Sequence, residues 1–366
     1  MSLRFCALLL ALLYSQALWA MNVLFINPGR SDELYWMTAS KAMEAAARKL
    51  DVRLEVIYAE REHFRVVSIA RQILDRPKSA WPDYVVFSND YATGPELLRL
   101  FGEAGIKTFM AFSGISNGFE RQKLGLPRER FKSWLGSLEP HAEEAGYQTA
   151  KRLIQLGRQA KAQAPDGMLH MLVVSGDRST PSSLRRSAGM RKAVFEAADV
   201  VVDQEVYGAW SREKAEEQAA WLYQRYPGTR LVWAGNDLMA FGAMAAWEKR
   251  GGKPGKDAWF SGINTSEEAM ESLRSGRLSA LSGGHFIAGA WALIMLYDYH
   301  HGRDFAKDEG LELDQSMFVS FTPQLASRFI ERYGKMDFDQ VDFRRFSKVL
   351  NPGLKRYDFS FGQLLK

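Results

Sequence analysis

Short apolar runs of strand length recur along this chain, and a longer stretch with helical periodicity follows each of them. Several runs are apolar throughout, as in YVVFS at residues 84–88, rather than alternating between apolar and polar residues. Continuous apolar runs are typical of parallel strands that are buried on both faces of a sheet. The predicted strands cover residues 22–27, 53–59, 84–88, 107–112, 170–175, 200–207, 230–234 and 259–264.

The stretches between these runs have the pattern of amphipathic helices. Within residues 32–50, Trp36, Met43 and Leu50 fall on one helical face and Glu44 on the opposite face. The same pattern covers residues 182–198, 211–225, 237–250 and 286–300. Strands that alternate with helices predict an α/β fold with parallel sheets.

The strands fall into two groups, which predicts two doubly wound domains. Four strands precede residue 115 and four lie between residues 170 and 264. The segment from about residue 113 to 140 is rich in glycine, proline and charge, so we predict a linker there and no strand. A chain of 366 residues with 46% hydrophobic residues is long and apolar enough for two cores.

The charge of the chain does not indicate a nucleic-acid partner. The 48 lysines and arginines exceed the 43 acidic residues by five, and they are spread without a block of like charges. This spread is typical of a solvated surface. After residue 20 no run reaches the roughly 18 apolar residues of a membrane-spanning helix, so we expect a protein that is not membrane-embedded.

Residues 1–20 have the layout of a signal peptide. A basic residue precedes an apolar run at residues 5–14, and small residues follow that run. The run is shorter than the ~20 residues that span a bilayer. Cleavage after Ala17 and after Ala20 both fit the pattern, and either removes Cys6, the single cysteine. We therefore expect an exported, periplasmic protein without disulfide bonds or cysteine ligands.

Motifs of common cofactor sites and catalytic centres are absent from the sequence. No G-x-G-x-x-G follows a strand, and GGKPGK at residues 251–256 lacks the spacing of a phosphate-binding loop. The six histidines form no H-E-x-x-H motif, and no G-x-S-x-G elbow occurs. We therefore expect no cofactor, no metal ion and no catalytic residues.

Aromatic and polar residues follow the predicted strands, at the edge where parallel sheets bind ligands. Tyr35 and Trp36 open the helix after the first strand, and Trp210 follows the sixth strand. Aromatic faces stack on sugars and similar small rings. For Tyr35 and Trp36, covering the end of a helix is the alternative role.

Polar side chains occupy the corresponding loops after other strands. Asn89 and Asp90 follow the third strand, Asp177 and Arg178 follow the fifth, and Asn264 ends the eighth. We treat all five as candidate ligand contacts. Helix capping explains Asn89 and Asp90 equally well.

The segment after the seventh strand carries the most specific pattern. Asn236 and Asp237 begin a predicted helix, and because one cap satisfies a helix, the second side chain is free to contact a ligand. The run NDLMAFGAMAAWEKRG at residues 236–251 resembles the N-D-x-x-A-x-G-A signature of type 1 periplasmic binding proteins. This is the superfamily of ribose-binding and lac-repressor-like proteins.

Other segments resemble the same family in the same order. SLRRSAGM at residues 183–190 is similar to its R-x-x-G segment, FSGIN at residues 260–264 to its V-G-F-D strand end, and residues 267–278 to the helix and turn that follow. The resemblance covers nearly the whole chain after residue 20. Repressors of the superfamily carry a DNA-binding headpiece where this chain has the predicted signal peptide, so no nucleic-acid partner is implied.

The resemblance implies two parallel-sheet lobes that are joined by a hinge of three crossovers and enclose one small molecule in the cleft between them. Lobe 1 would comprise residues 21–136 and 285–316. Lobe 2 would comprise residues 137–284 and 317–366, including a C-terminal tail.

The resemblance also implies which residues contact the ligand. Tyr35 and Trp36 match the aromatic pair of lobe 1, and Trp210 matches the aromatic platform of lobe 2. Asn236 matches an amide that binds ligand, and Asn264 stands where the family has a strand-end aspartate.

Several charged positions of the family are replaced in this chain. Its sugar-gripping arginine falls on Leu184, with Arg178 or Arg185 as the candidate replacements, and its lobe 1 Asp-Arg pair falls on Phe112-Ser113. Charged hydrogen bonds to sugar hydroxyls contribute ~1.5–3 kcal/mol each, so these losses argue against a plain pentose or hexose. The family's hinge glutamine falls near His285, which would either face the cleft or cap a helix.

The implied function is that of a monomeric receptor that delivers a small, carbohydrate-like ligand to an ABC permease. The alternative is a ligand sensor that docks onto a membrane histidine kinase or cyclase. An aromatic tail follows residue 334 and would either pack on lobe 2 or form a docking surface for a membrane partner. Its aromatic residues are Phe338, Phe343, Phe346, Tyr357, Phe359 and Phe361.

Overall fold

The computed structural model describes residues 21–366, so the predicted signal peptide at residues 1–20 lies outside the described residues. The strands are β1 Asn22–Asn27, β2 Arg53–Tyr58, β3 Tyr84–Phe87, β4 Lys107–Ala111, β5 Trp134–Pro140, β6 Leu169–Ser175, β7 Val200–Tyr207, β8 Leu231–Ala234, β9 Trp259–Ile263, β10 Ala280–Gly283, β11 Glu312–Gln315 and β12 Val319–Ser320. The α-helices are α1 Leu34–Leu50, α2 His63–Leu74, α3 Gly94–Glu103, α4 Gly118–Leu124, α5 Ala142–Gln159, α6 Pro181–Phe195, α7 Arg212–Arg225, α8 Asp237–Lys249, α9 Glu267–Arg274, α10 Ala288–His300 and α11 Pro323–Tyr333. Short 3-10 helices include His285–Ile287, Phe343–Phe346 and Phe361–Leu365.

The strands form two six-stranded sheets, one in each lobe. The lobe 1 sheet has the order β11-β5-β4-β3-β1-β2 and is parallel throughout. The lobe 2 sheet has the order β12-β10-β9-β8-β6-β7 and is parallel except for the short antiparallel strand β12. The predicted α/β fold of two doubly wound lobes is confirmed, and all eight predicted strands are present.

The predicted linker at residues 113–140 is wrong, because this segment contains α4 and the buried strand β5. The sequence of β5, WLGSLEP, includes Gly136, Ser137 and Pro140, which are weak strand formers. Gly136 is needed there because a Cβ atom would lie 2.4 Å from the carbonyl oxygen of Leu311, just before β11. Pairing with β11, a segment far away in the sequence, therefore stabilises a strand that local propensity does not predict.

The chain passes between the lobes three times: after β5, between β10 and α10, and between β11 and β12. All of β5 belongs to the lobe 1 sheet, so the first crossover follows Pro140, and the boundary predicted at residue 137 is corrected accordingly. Within residues 21–366, no helix has the length and apolarity required to cross a bilayer.

The C-terminal tail contacts both lobes, which corrects its assignment to lobe 2 alone. Phe361 of the tail contacts Phe329 of α11, a helix that packs on α9 of lobe 2, whereas other tail residues lie against α10 of lobe 1. There Trp291 contacts Phe343, Phe346 and Phe359, with ring centroids 5.7, 4.6 and 5.2 Å away. All six aromatic residues of the tail are buried, so they do not form an exposed docking surface.

Candidate ligand-binding cleft

The cleft lies between the carboxyl ends of the strands of the two sheets. Seven of the ten candidate residues line it: Tyr35, Trp36, Asp90, Trp210, Asn236, Asn264 and His285. The sequence did not single out the other lining residues as contacts; they include Glu33, Arg61, Phe112, Ser113, Thr180, Ser182, Arg186 and Phe318.

Three aromatic side chains form the lobe 1 wall of the cleft. Trp36 contacts Tyr35 and Phe112 edge to face, with ring centroids 5.0 and 5.1 Å away. Asn27, at the end of β1, fixes the loop because its amide donates to the carbonyl oxygen of Trp36 at 3.2 Å. Gly29 is needed beside this ring, since a Cβ atom there would lie 1.9 Å from Trp36.

Charged groups border this aromatic wall. Arg61 donates to Glu33 with Nε 2.8 Å from Oε2, and also contacts the hydroxyl of Tyr91 at 3.3 Å. Asp90 is buried and accepts a hydrogen bond of 2.9 Å from the hydroxyl of Ser88. Burial raises the pKa of Asp90, although the nearby Arg61 opposes this effect. The carboxyl group keeps further acceptor capacity for a ligand.

Trp210 provides the aromatic surface of lobe 2, and Asp177 holds it in place. The indole Nε1 donates to Asp177 Oδ2 at 2.7 Å, and the same carboxylate accepts from the backbone N–H of Thr180 at 2.7 Å. Burial acts to raise the pKa of Asp177, but hydrogen bonds from Thr180 and Ser179 lower it below its usual value. Asp177 therefore positions Trp210 and is not itself a lining residue.

Two other candidates also lie outside the cleft lining. The side chain of Asn89 is buried in lobe 1, where Nδ2 donates to the carbonyl oxygen of Gly114 at 3.1 Å and Oδ1 accepts from the N–H of Gly94 at 2.8 Å. Arg178 is exposed and lies over the ring of Tyr207, with 4.5 Å between the guanidinium carbon and the ring centroid. The side chains of Asn89 and Arg178, which we predicted to contact a ligand, are therefore engaged in contacts within their own lobes.

Asn236 and Asp237, at the start of α8, both form hydrogen bonds within lobe 2. Asn236 Oδ1 caps the helix by accepting from the N–H of Met239 at 2.8 Å. Asp237 accepts from Asn264 Nδ2 at 2.9 Å and is buried. Burial raises the pKa of Asp237, with hydrogen bonds from Ser266 and Asn264 opposing it. The amide of Asn236 and the strand-end residue Asn264 remain in the cleft lining.

Arg186 is a cleft residue that the sequence analysis missed as a contact. It is 6% exposed, and its guanidinium donates to the carbonyl oxygen of Gly235 at 2.8 Å and contacts His285 Nε2 at 2.7 Å. Burial lowers the pKa of Arg186 to about 10. Its neighbour Arg185 instead reaches lobe 1, where it pairs with Glu139 and Asp314.

His285 lies between two aromatic rings at the second crossover. Its ring stacks on Tyr35 and Phe318, with centroids 4.8 and 4.4 Å away. Burial and the positive charge of Arg186 hold the pKa of His285 well below its usual value. Within the described chain, no group of three or more histidine, cysteine or acidic side chains is arranged to hold a metal ion.

Comparison with known proteins identifies the family. Residues 23–304 match the periplasmic binding protein domain family. The chain belongs to the periplasmic binding proteins. The resemblance of the N-D-x-x-A-x-G-A segment to the type 1 members of this family is thereby confirmed.

Solved structures with the same fold cover most of this periplasmic binding protein. A periplasmic sugar-binding protein from Pseudomonas fluorescens is 38% identical, with a TM-score of 0.85 over 94% of this chain and 100% of that protein. A Mycobacterium smegmatis protein in complex with β-D-fucofuranose is 15% identical, with a TM-score of 0.70 over 93% and 100% of the two chains.

A third structure is the periplasmic binding protein of an arabinose ABC transporter from Shewanella sp. ANA-3, bound to α- and β-L-arabinofuranose. It is 18% identical, with a TM-score of 0.68 over 86% of this chain and 96% of that protein. The latter two similarities concern the fold alone. No curated protein sequence matches this chain.

Proposed function

We propose that this periplasmic binding protein is exported by a signal peptide at residues 1–20, captures one monosaccharide between its lobes as a monomer, and delivers it to an ABC permease. The observation that carries the proposal is the cleft itself, where aromatic rings from both lobes enclose buried hydrogen-bonding groups. The name of the 38% identical relative, a periplasmic sugar-binding protein, supports the same ligand class.

The chemistry of the lining suits a monosaccharide. Trp36 and Trp210 present aromatic surfaces from opposite lobes, and such surfaces stack on the C–H faces of a sugar ring. Asp90 can accept from sugar hydroxyls, whereas Arg186 can donate to them. These two residues supply the carboxylate and guanidinium that the family positions at Leu184, Phe112 and Ser113 lack. A pentose or a hexose is therefore compatible with the polar groups of this lining.

Closure of the lobes would trap the ligand. Arg185 of lobe 2 pairs with Asp314 and Glu139 of lobe 1, and Arg186 of lobe 2 contacts His285 at the second crossover. These contacts join the two lobes around the cleft. A ligand that touches both walls binds the closed form more tightly than the open form, and this difference in affinity drives closure.

The test is ligand-dependent thermal unfolding with L-arabinose, D-galactose, D-fucose, D-allose and myo-inositol, followed by calorimetric titration of any compound that stabilises the protein. A ligand at 100 times its dissociation constant adds ~2.7 kcal/mol to the free energy of unfolding. We expect at least one of these sugars to stabilise the wild type, and the Trp36→Ala, Trp210→Ala double variant to lose that response. Absence of stabilisation by every compound would contradict the sugar assignment.

The alternative is a ligand sensor that acts on a membrane kinase or cyclase. Its support from the sequence was the aromatic tail together with the weakened sugar grip. The aromatic side chains of the tail are buried against α10 and α11, and Asp90 and Arg186 offer a carboxylate and a guanidinium to a sugar. We therefore retain delivery to a permease as the proposal. A neighbouring gene for a sensor kinase, in place of genes for a permease and ATPase, would favour the alternative.

A further inference from the structure

The contact between Arg186 and His285 fixes where the imidazole carries its proton. A guanidinium has only N–H donors, so at 2.7 Å from Arg186 Nη2 the Nε2 atom of His285 must be the acceptor. An imidazole nitrogen that accepts a hydrogen bond carries no proton. The neutral ring therefore has its proton on Nδ1, and Nδ1 has no hydrogen-bond partner among the described residues.

We propose that Arg186 holds His285 as the neutral Nδ1–H tautomer, and that this N–H group recognises an acceptor oxygen on the sugar. The second half of this inference rests on the proposed function, because it requires a ligand in the same cleft. His285 is the contact residue and Arg186 its positioning residue. The tautomer itself is a property of the ligand-free protein, so it can be tested separately.

Within residues 21–366, no acidic side chain pairs with His285, and the polar group that contacts its Nε2 atom is a guanidinium. Tyr35 stacks on one face and Phe318 on the other. The charged group in contact with the ring is Arg186, a cation, which repels a second positive charge. The carboxylates of Asp90 and Asp237 act on Arg186 and form no hydrogen bond with His285 within the described chain. The ring therefore stays neutral, with its proton on Nδ1, when the solution is acidified.

Two further buried donors lack a partner in the same lining. Trp36 Nε1 and Arg186 Nε, on side chains that are 4% and 6% exposed, have no hydrogen-bond partner in residues 21–366. Leaving a buried donor unpaired is unfavourable, so a bound ligand is favoured if it presents acceptors to these groups. The ring oxygen of a cyclic sugar and the hydroxyl oxygens beside it form such an acceptor-rich edge.

The tautomer is tested by ¹⁵N NMR of the ligand-free protein with labelled histidine, between about pH 5 and pH 8. The His285→Asn variant assigns the His285 signals by their loss. We expect the wild type to keep a neutral Nδ1–H ring across this range. In Arg186→Met the ring should exchange between tautomers and become protonated as the pH falls. Arg191→Met, which removes a guanidinium from the same helix but on its exposed side, should match the wild type.

Recognition of the ligand is tested by titrating L-arabinose into the wild type and into the His285→Asn and His285→Leu variants. Asn places an N–H donor near the position of Nδ1, whereas Leu provides none. We expect His285→Leu to weaken binding roughly tenfold or more, and His285→Asn to stay within about threefold of the wild type. At neutral pH, binding by Arg186→Met should be weaker, because only part of its population carries the proton on Nδ1, whereas wild-type affinity stays level between pH 5 and pH 8.

The NMR experiment tests the tautomer of His285, and the titrations test sugar binding, so the two can fail separately. A wild-type ring protonated on Nε2, or charged near neutral pH, overturns the tautomer assignment whatever the protein binds. Equal affinities of the Leu and Asn variants overturn recognition by Nδ1–H. If the Nδ1–H tautomer is observed but L-arabinose and the other tested sugars do not bind, the sugar assignment and the recognition step fail together while the tautomer stands.

Discussion

Phe361 of the C-terminal tail lies against Gly284 at the second crossover, so closely that a Cβ atom on this glycine would be 2.6 Å from the phenyl ring. The same ring contacts Phe286 in the crossover and Phe329 in α11, with centroids 5.2 and 6.0 Å away. Helix α11 packs on lobe 2, whereas Phe286 leads into α10 of lobe 1. The tail therefore contacts the hinge at the second crossover.

Gly284→Ala should destabilise the protein for two reasons. The backbone φ of +105° is unfavourable for a residue with a side chain, and the added methyl group would collide with Phe361. Gly310→Ala is the matched control, because φ there is +94° but nothing lies within 4 Å of the added atom. In urea unfolding we expect the control to lose about 1–2 kcal/mol and Gly284→Ala about 1–3 kcal/mol more. Equal losses of unfolding free energy in the two variants would show that Phe361 moves aside without cost.

Asp298 anchors the tail, and Asp298→Asn should release it. This buried carboxylate accepts from the N–H of Lys348 and the hydroxyl of Tyr357, both at 2.7 Å, and from the hydroxyl of Ser347. An amide would present N–H groups to these donors, so we expect a loss of roughly 1–3 kcal/mol in urea unfolding and faster proteolysis after residue 334. Asp358→Asn, an exposed change in the same tail, should leave both measurements unchanged.

Stability should fall as the pH rises past neutrality, because of His170. The hydrogen bond that His170 Nδ1 donates to Asp203, with help from Asp166 and against partial burial, raises the pKa of His170 above 6.5. The ion pairs therefore stabilise the fold fully below pH 6.5, and this contribution is lost as the pH rises through the raised pKa. The fall in melting temperature between pH 6 and pH 9 should be smaller in His170→Gln. The same slope in that variant, or a smaller slope in the exposed-site control His63→Gln, would contradict this assignment.

Central strands such as β3 and β8 were predictable because burial on both faces makes them continuous apolar runs. The cleft position followed from parallel topology, since carboxyl ends of neighbouring strands meet at one edge. The positions of Tyr35, Trp36 and Trp210 directly after predicted strands were therefore enough to place them at this edge.

Other features depend on contacts that a sequence does not display. Arg185 and Arg186 are consecutive residues of α6 and point in different directions. Arg185 pairs with lobe 1, whereas Arg186 lines the cleft. Arg186 is the arginine of the R-x-x-G motif, and this motif was the sequence signal that could have predicted it as a ligand contact. Asp177 was expected to be free for a ligand, but Thr180 and Trp210 occupy it. The anchoring of the tail joins Asp298 to Tyr357, 59 residues away in the chain.

The platform of lobe 2 depends on Gly176, where an added Cβ atom would lie 2.3 Å from the indole of Trp210. Gly176→Ala should therefore displace Trp210 and break its hydrogen bond to Asp177, without removing any group that the ligand touches. We expect affinity for L-arabinose to fall roughly tenfold, the amount that loss of an aromatic stacking contact accounts for. Gly228→Ala in the same lobe should bind as the wild type does, because its nearest neighbour is 3.7 Å from the added atom. If Gly176→Ala keeps wild-type affinity, Trp210 is not a binding surface, and the lobe 2 half of the proposed site is wrong.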